Sequence, residues 1–364
     1  MPRVGRAQGQ RADRVGREAG IDPVCHTLVG AALARGGLGR RTALGTATLL
    51  IGANLPDLDV LAFLDGPAAD LSFRRGWTHG LLAMAVLPFL LTGGVLLLDS
   101  ASRRASRSNL PSGVVPRQIL LLSFLSILSH PILDSLNTYG VRWLMPFSGH
   151  WFYGDTLFIV DPWVWLALGT GVMLSRRRGT RGHFGMQGRP ARVALGATAA
   201  YVVAMALSGA GARMIATREL VALTGTPVEA LMVGPLAVNP MVRHVVASQG
   251  DSYRIATFRW LRRPHLDRAS VRSYPRGRPD TPAVAAAVAT LVGRRFLGWA
   301  RFPVFSVESI GPATLVHIVD LRYAEHPGAG FGTATISVAR PPASAPSSGI
   351  PPASPSAAPV APSP

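Results

Sequence analysis

Apolar runs close to membrane-spanning length, separated by short clusters of arginine, dominate the first 210 residues and leave this chain few possible folds. They cover residues 24–34, 43–55, 81–98, 119–133, 157–174 and 193–207. A helix needs about 20 apolar residues to cross the hydrocarbon core of a bilayer, so the first two runs are short and must be tilted, shielded by neighbours or interfacial. We therefore predict an all-α membrane helical bundle over residues 22–212.

The positions of the arginines predict how this bundle is oriented. Charged residues make up only 15% of the chain, and the net charge of +18 is divided among clusters between the apolar runs instead of forming one stripe. We therefore expect a lipid bilayer as the partner and no nucleic acid. The basic connections are expected to be cytoplasmic, and connections 56–78 and 137–156 to lie outside. The basic clusters are Arg35, Arg40 and Arg41; Arg103, Arg104, Arg107 and Arg117; and Arg176, Arg177, Arg178, Arg181 and Arg189.

The sequence changes character after Arg213. Short alternating segments predict strands at 228–233, 241–247, 253–260, 305–310, 315–323 and 333–339, with one Ala-rich helix at 281–292. We predict a small soluble α+β or β-rich domain over residues 213–340, outside the cytoplasm. Residues 1–21 are predicted to be a disordered basic arm, and residues 341–364 a disordered Pro/Ala/Ser tail.

The polar residues of the membrane half lie at the ends of the apolar runs. His26 opens the first run, Asp57 and Asp59 follow the second, and His79 precedes the third. His130 and Asp134 close the fourth run; they are four residues apart, so they share a helix face. In an alternating bundle all these groups meet at one level, on the non-cytoplasmic side. The same face of the fourth run forms a polar stripe, which is costly to expose to lipid: Ser123, Ser126, His130, Asp134 and Asn137.

Imidazole and carboxylate together are ligands for zinc, manganese or iron. We predict one or two divalent ions, zinc first, with a metal-activated water as nucleophile. Asp57 or Asp59 is the expected general base. The predicted ligands are His26, Asp57, Asp59, His79, His130 and Asp134. Any one of these residues alone could instead be a packing residue or a turn cap.

The next outer connection holds three additional candidate ligands, His150, Asp155 and Asp161. Asp161 precedes Pro162, so it could equally mark the start of a helix. Arg142 and Trp143 could contact an anionic substrate, but we expect them to be a snorkelling interfacial pair. The single cysteine, Cys25, excludes an intramolecular disulfide and a cysteine-based zinc finger.

Several motifs together resemble the YdjM family of bacterial inner-membrane proteins. They are Asp-Pro-Val-Cys-His-Thr-Leu-Val-Gly at 22–30, Asn-Leu-Pro-Asp-Leu-Asp at 54–59, Trp-Thr-His at 77–79, Ser-His-Pro-Ile-Leu-Asp at 129–134, and Gly-Asp at 154–155 with Asp-Pro at 161–162. The resemblance covers residues 22–210 and implies a multi-pass protein of the bacterial inner membrane with metal-dependent hydrolase activity.

The order of His, Asp, His and His-x-x-x-Asp is also similar to that of zinc-dependent phospholipase C and the related single-strand nucleases. That similarity implies metal ligation by His26, Asp57 or Asp59, His79, His130 and Asp134. The wider group uses further His and Glu ligands downstream, where this chain offers only His150, Asp155 and Asp161. The number of metals therefore stays open.

Three functions fit these observations. The first is a hydrolase that acts on a phosphoester or ester of an amphiphilic or lipid-linked substrate. The second is a metal or proton transporter, because intramembrane His and Asp also line ion paths. The third is an envelope scaffold in which a metal only holds helices together. Ligands at a single level favour a site over a path.

Overall fold

The computed structural model describes residues 22–65, 72–106, 113–180, 188–277, 279–310, 313–326 and 330–339. A helical region comes first, and a C-terminal domain of two antiparallel sheets follows. This order agrees with the architecture predicted from the sequence. The predicted N-terminal arm and C-terminal tail lie outside the described residues.

The described part of the helical region contains six α-helices of at least eight residues and one longer 3-10 segment that bears on the site. The α-helices are α1 (Asp22–Arg35), α2 (Gly45–Gly52), α3 (Leu81–Ala105), α4 (Pro116–Asp134), α5 (Pro162–Thr180) and α6 (Arg189–Thr224). The 3-10 segment (Leu55–Asp65) follows α2 and carries Asp57 and Asp59. Proline occupies the first turn of α4 and α6, where its missing N–H removes no helical hydrogen bond.

Three of the described helices, α3, α4 and α6, are long and apolar enough to cross a membrane. Only 11% of the most apolar 18 residues of α3 is buried within the protein, so most of that helix exposes leucine and phenylalanine side chains. Helix α5 fails the same criterion because its last turns contain arginine. Helices α1 and α2 are only about 21 and 12 Å long at 1.5 Å per residue, which is too short to span a bilayer.

Basic connections of the helical region lie together at one end of the bundle. The hydroxyl of Thr42 accepts from the N–H of Val115, 2.7 Å away, which joins the start of α2 to the start of α4. The backbone oxygen of Arg35 borders Gly188, just before α6. The N–H of Ala191 donates to the hydroxyl of Ser175 at 3.0 Å and joins α5 to α6.

Helix α6 is much longer than its apolar run suggests. The prediction stopped at residue 207, but the helix continues to Thr224, so the domain boundary proposed at residue 213 falls inside it. Its 36 residues measure about 54 Å, well beyond a hydrocarbon core of about 30 Å. The final turns pack Ala212, Ala216 and Leu220 against the first sheet.

The C-terminal domain has a four-stranded sheet in the order β1-β2-β3-β4 and a three-stranded sheet in the order β5-β6-β7. The strand β4 (His265–Pro275) was not predicted, because its charged and polar residues hide any alternation; it is a largely exposed edge. Two short helices replace the single predicted one, since Thr290 ends the first and caps the second. The remaining elements are β1 (Ala230–Pro235), β2 (Val242–Gln249), β3 (Ser252–Arg259), α7 (Pro282–Ala289), α8 (Leu291–Trp299), β5 (Pro303–Ile310), β6 (Ala313–Asp320) and β7 (Thr333–Ala339).

The second sheet docks onto the connection that follows α4. Tyr139 and Trp151 of that connection share a core with Trp299 at the end of α8. The buried Arg322 donates to the carbonyl of Thr138 at 2.7 Å and to that of Trp299 at 2.9 Å, and it pairs with the buried Asp320. The C-terminal domain therefore packs at the end of the bundle where α4 finishes.

Candidate metal centre

Four separate elements bring three histidines and two aspartates together at one end of the bundle. His26 lies in the first turns of α1, and Asp57 lies in the 3-10 segment after α2. His79 directly precedes α3, and the last turns of α4 carry His130 and Asp134. All but Asp57 are buried, and the Asp57 side chain is 18% exposed.

Asp134 is the common neighbour of the three imidazoles. Its carboxylate oxygens lie 3.4 Å from His26 Nε2, 3.2 Å from His79 Nε2 and 3.6 Å from His130 Nε2. The His130 Nε2 is also 3.4 Å from Asp57 Oδ1. The rings of His26 and His130 stack with centroids 3.6 Å apart. Ligand atoms of two overlapping groups lie within 4.8 Å of one another: His26, His130 and Asp134; and Asp57, His79 and His130.

The polar atoms at the centre of this cluster fit a divalent cation. His79 Nε2, His130 Nε2 and one oxygen each of Asp57 and Asp134 have no hydrogen-bond partner among the described residues. Burying such atoms unpaired costs free energy, and native proteins rarely do so. The Nδ1 of His130 is 2.7 Å from the carbonyl oxygen of Ala53, which can only accept a hydrogen bond. Nδ1 therefore carries a proton, and the Nε2 lone pair of a neutral ring points at carboxylates, an arrangement that a bound cation would stabilise.

Asp59 lies behind His79 and belongs to neither group of ligand atoms. Its Oδ2 is 3.3 Å from His79 Nδ1, and it accepts from the Thr78 hydroxyl at 3.0 Å and from the N–H of Arg75 at 2.7 Å. A carboxylate on the far nitrogen of a ligating histidine orients the ring and raises its basicity. The sequence left Asp57 and Asp59 equivalent; the geometry separates them.

The electrostatic environment of the cluster favours ionised carboxylates. Burial alone lowers the pKa of His79, but the carboxylates of Asp134 and Asp59 outweigh it and raise that pKa to about 9. Burial raises the pKa of Asp57, but the adjacent His130 ring, whose Nε2 lies 3.4 Å from Asp57 Oδ1, outweighs burial and holds the pKa below its usual value. Asp57 is therefore ionised at neutral pH and able to accept a proton or bind a cation.

Arg75 is a site residue that the sequence analysis missed. Its buried guanidinium lies 3.0 Å from Asp134 Oδ1, donates to Asn137 Oδ1 at 2.9 Å and stacks over Tyr139. Its backbone φ of +49° is unfavourable for a residue with a side chain. A double arginine just before Trp-Thr-His, in a connection otherwise free of basic clusters, was the available signal.

The three additional candidate ligands lie outside both groups of ligand atoms. His150 is exposed. The buried Asp155 pairs with Arg301 at 2.8 Å. Asp161 accepts from the N–H groups of Trp163 and Val164 and so caps α5, as its position before proline suggested. It also lines a small cavity beside His26 and Asp134.

The prediction for Arg142 is wrong. Its side chain is buried rather than snorkelling, and it donates to the carbonyls of Ser72 and Arg74 at 2.7 and 2.9 Å. Arg142 therefore holds the segment that carries Arg75 against the connection after α4. Trp143 donates to the hydroxyl of Ser135 at 2.7 Å.

Comparison with known protein families supports the resemblance inferred from the motifs. No curated protein and no solved structure matches the chain. The family model described as "YdjM inner membrane protein" matches residues 21–215, which is more than half of the 364 residues and includes every residue of the cluster. The similarity to phospholipase C rests on the order of the ligands alone and stays a prediction. With the site and the matched segment coinciding, the chain belongs to the YdjM family of inner membrane proteins.

Proposed function

We propose that this protein is a membrane-bound, metal-dependent hydrolase that cleaves a phosphoester of a lipid or lipid-like substrate. The observation that carries the proposal is the convergence of buried His26, His79, His130 and Asp134 with the partly exposed Asp57 at one end of the bundle. A set of imidazole and carboxylate donors suits zinc best among the common divalent ions. When bound, such an ion would act as a Lewis acid that lowers the pKa of water and makes it a competent nucleophile at neutral pH.

The residues then divide into three roles. His26, His79, His130 and Asp134 would hold the ion from the closed side of the cluster. Asp57 faces the accessible side, so it is our choice for the general base that takes a proton from the attacking water. The water oxygen forms the new bond to phosphorus, the bond from phosphorus to the leaving oxygen breaks, and that oxygen takes up a proton from solvent.

Asp59 and Arg75 are proposed to act through their neighbours. Asp59 would fix the His79 ring, and Arg75 would hold Oδ1 of Asp134 so that Oδ2 stays directed at His79 and His130. Their contacts make them positioning residues. Removing such partners typically weakens metal binding by about 10- to 100-fold.

The test is turnover by the purified protein in lipid nanodiscs. The substrates are a phospholipid panel, isoprenoid phosphates and simple carboxylic esters, each with and without chelator. We expect chelator-sensitive release of phosphate or a phosphorylated head group, restored by added zinc and lost in Asp57→Asn.

Two results would contradict the proposal. Release that survives both the chelator and Asp57→Asn would come from a contaminant. A metal-loaded protein that leaves the whole panel intact but moves zinc across vesicle membranes would be a transporter. His150→Ala, which changes an exposed histidine outside the cluster, is the matched control and should hydrolyse normally.

A further inference from the structure

Large apolar side chains are exposed on stretches of chain that carry or adjoin the metal cluster. These side chains come from three stretches of chain outside the candidate membrane helices. Two of the side chains are more than four-fifths exposed: Leu64 at 82% and Phe147 at 83%. We call the whole set the apolar collar: Leu58, Leu61, Leu64, Phe73, Trp77 and Phe147.

Hydrogen bonds link the three stretches to one another and to the site. The N–H of Arg75, between Phe73 and Trp77, donates to Asp59, next to Leu58, at 2.7 Å. The N–H of Leu81 donates to the carbonyl of Trp143 at 2.9 Å, which joins the start of α3 to the turn that carries Phe147. Asp57, the one partly exposed member of the cluster, directly precedes Leu58.

The collar is continuous with a candidate membrane helix. Helix α3 begins four residues after Trp77, and its first two residues, Leu81 and Leu82, are about half exposed. Large apolar side chains exposed together commonly mark a site of interaction with a protein or a membrane. Tryptophan beside the end of a membrane helix is typical of the bilayer interface. The continuity favours lipid, rather than a protein, as the occupant.

We propose that the apolar collar inserts into the interfacial layer of the bilayer at the site end of the bundle and opens the metal cluster sideways to lipid head groups. The substrate class is then an amphiphile that stays in the membrane, with its head group at Asp57 and its chains beside the collar. The substrate part of this inference rests on the proposed hydrolase function; the depth of the collar does not.

Site-directed spin labelling tests the depth independently of activity. Cys25 is the only cysteine, so Cys25→Ser provides a background without native thiols. Labels are placed in vesicles at Leu64→Cys and Phe147→Cys, with Leu90→Cys of α3 as the lipid reference. Leu261→Cys is the water reference, because Leu261 is equally hydrophobic and 65% exposed on the C-terminal domain.

We expect the two collar labels to collide readily with oxygen and to be shielded from a water-soluble nickel chelate, as Leu90→Cys is. Collar labels as open to nickel as Leu261→Cys would overturn the proposal. Labels shielded from both reagents would also overturn it, because a protein surface, such as a second copy of the chain, would then cover the collar.

The kinetic arm tests entry of substrate. Leu64→Ser and Phe147→Ser should raise the KM for a vesicle-embedded lipid phosphate about ten-fold and leave kcat/KM for a short-chain, water-soluble phosphoester unchanged. Equal losses on both substrates would overturn lateral entry. If the wild-type protein cleaves neither substrate, the hydrolase proposal falls, and the spin-label depths alone decide whether the collar meets lipid.

Discussion

The imidazole of His130 belongs to both groups of ligand atoms, and its Nδ1 is fixed by the carbonyl of Ala53. Its loss should therefore dismantle the whole centre, whereas loss of His26 or His79 would affect only one group. The i, i+4 spacing with Asp134 on α4 also makes it one half of the most rigid pair in the cluster. At the scale of single residues, His130 is the position that tests whether a metal is bound at all.

We predict that His130→Ala loses the bound metal while His150→Ala keeps it. Elemental analysis of the purified proteins measures this directly. Zinc at about 100 times its dissociation constant should stabilise the wild-type protein by about 2.7 kcal/mol and leave His130→Ala unaffected. Equal metal in both variants, or none in the wild-type protein, would remove the site.

Asp57 and Asp59 should respond differently to the same change. Asp59→Asn keeps a hydrogen-bonding group behind His79 but removes the charge, so metal affinity should fall by about 10- to 100-fold and excess zinc should restore turnover. Asp57→Asn should keep more of its metal and lose turnover at any zinc concentration. Identical behaviour of the two variants would contradict the separation of their roles.

The sequence could predict this site because its residues mark the ends of apolar runs. Ends of alternating helices meet at one level, which placed His26, His79, His130 and Asp134 together. It could not rank Asp57 against Asp59, since two residues in a 3-10 segment point in directions that only tertiary contacts determine. It missed Arg75 because a buried guanidinium requires partners that are distant in sequence, here Asn137 and Asp134.

At the scale of elements, helix starts were easier to predict than helix ends. Proline and aspartate mark the start of α5, whereas α6 continues past its apolar run because Ala212, Ala216 and Leu220 find a sheet to pack against. The packing partner lies later in the chain, so no local pattern reveals it. The strand β4 was missed for a different reason: its charged and polar residues hide any alternation, so its pairing with β3 defines it and its composition does not.

Asp161 provides the prediction that belongs to this scale. Asp161→Ala removes the acceptor for two N–H groups at the start of α5 and should cost about 1 kcal/mol of stability. Asp161→Asn retains a capping oxygen and should cost less. Both should keep the metal content of the wild-type protein, measured by elemental analysis; loss of metal in both would instead make Asp161 a ligand.

For the whole molecule, the path of α5 decides the topology. Asp161 at its start lines the cavity beside His26 and Asp134, and Ser175 near its end contacts the start of α6. Helix α5 thus runs from the site end of the bundle to the basic end, although its arginines exclude it from the helices that qualify by composition. Among the described residues that follow Arg107, three helices then run between the two ends of the bundle: α4, α5 and α6.

An odd number of crossings predicts that Arg107 and the C-terminal domain lie on opposite sides of the membrane. The positive-inside rule assigns the arginine clusters to the cytoplasm and the C-terminal domain to the outside. A fluorescent protein fused after Arg107 should therefore fluoresce, and alkaline phosphatase fused after Pro364 should be active; each reporter should be silent at the other position. If both positions report the same side, α5 does not cross, and an alternating topology no longer explains why the ligands meet at one level.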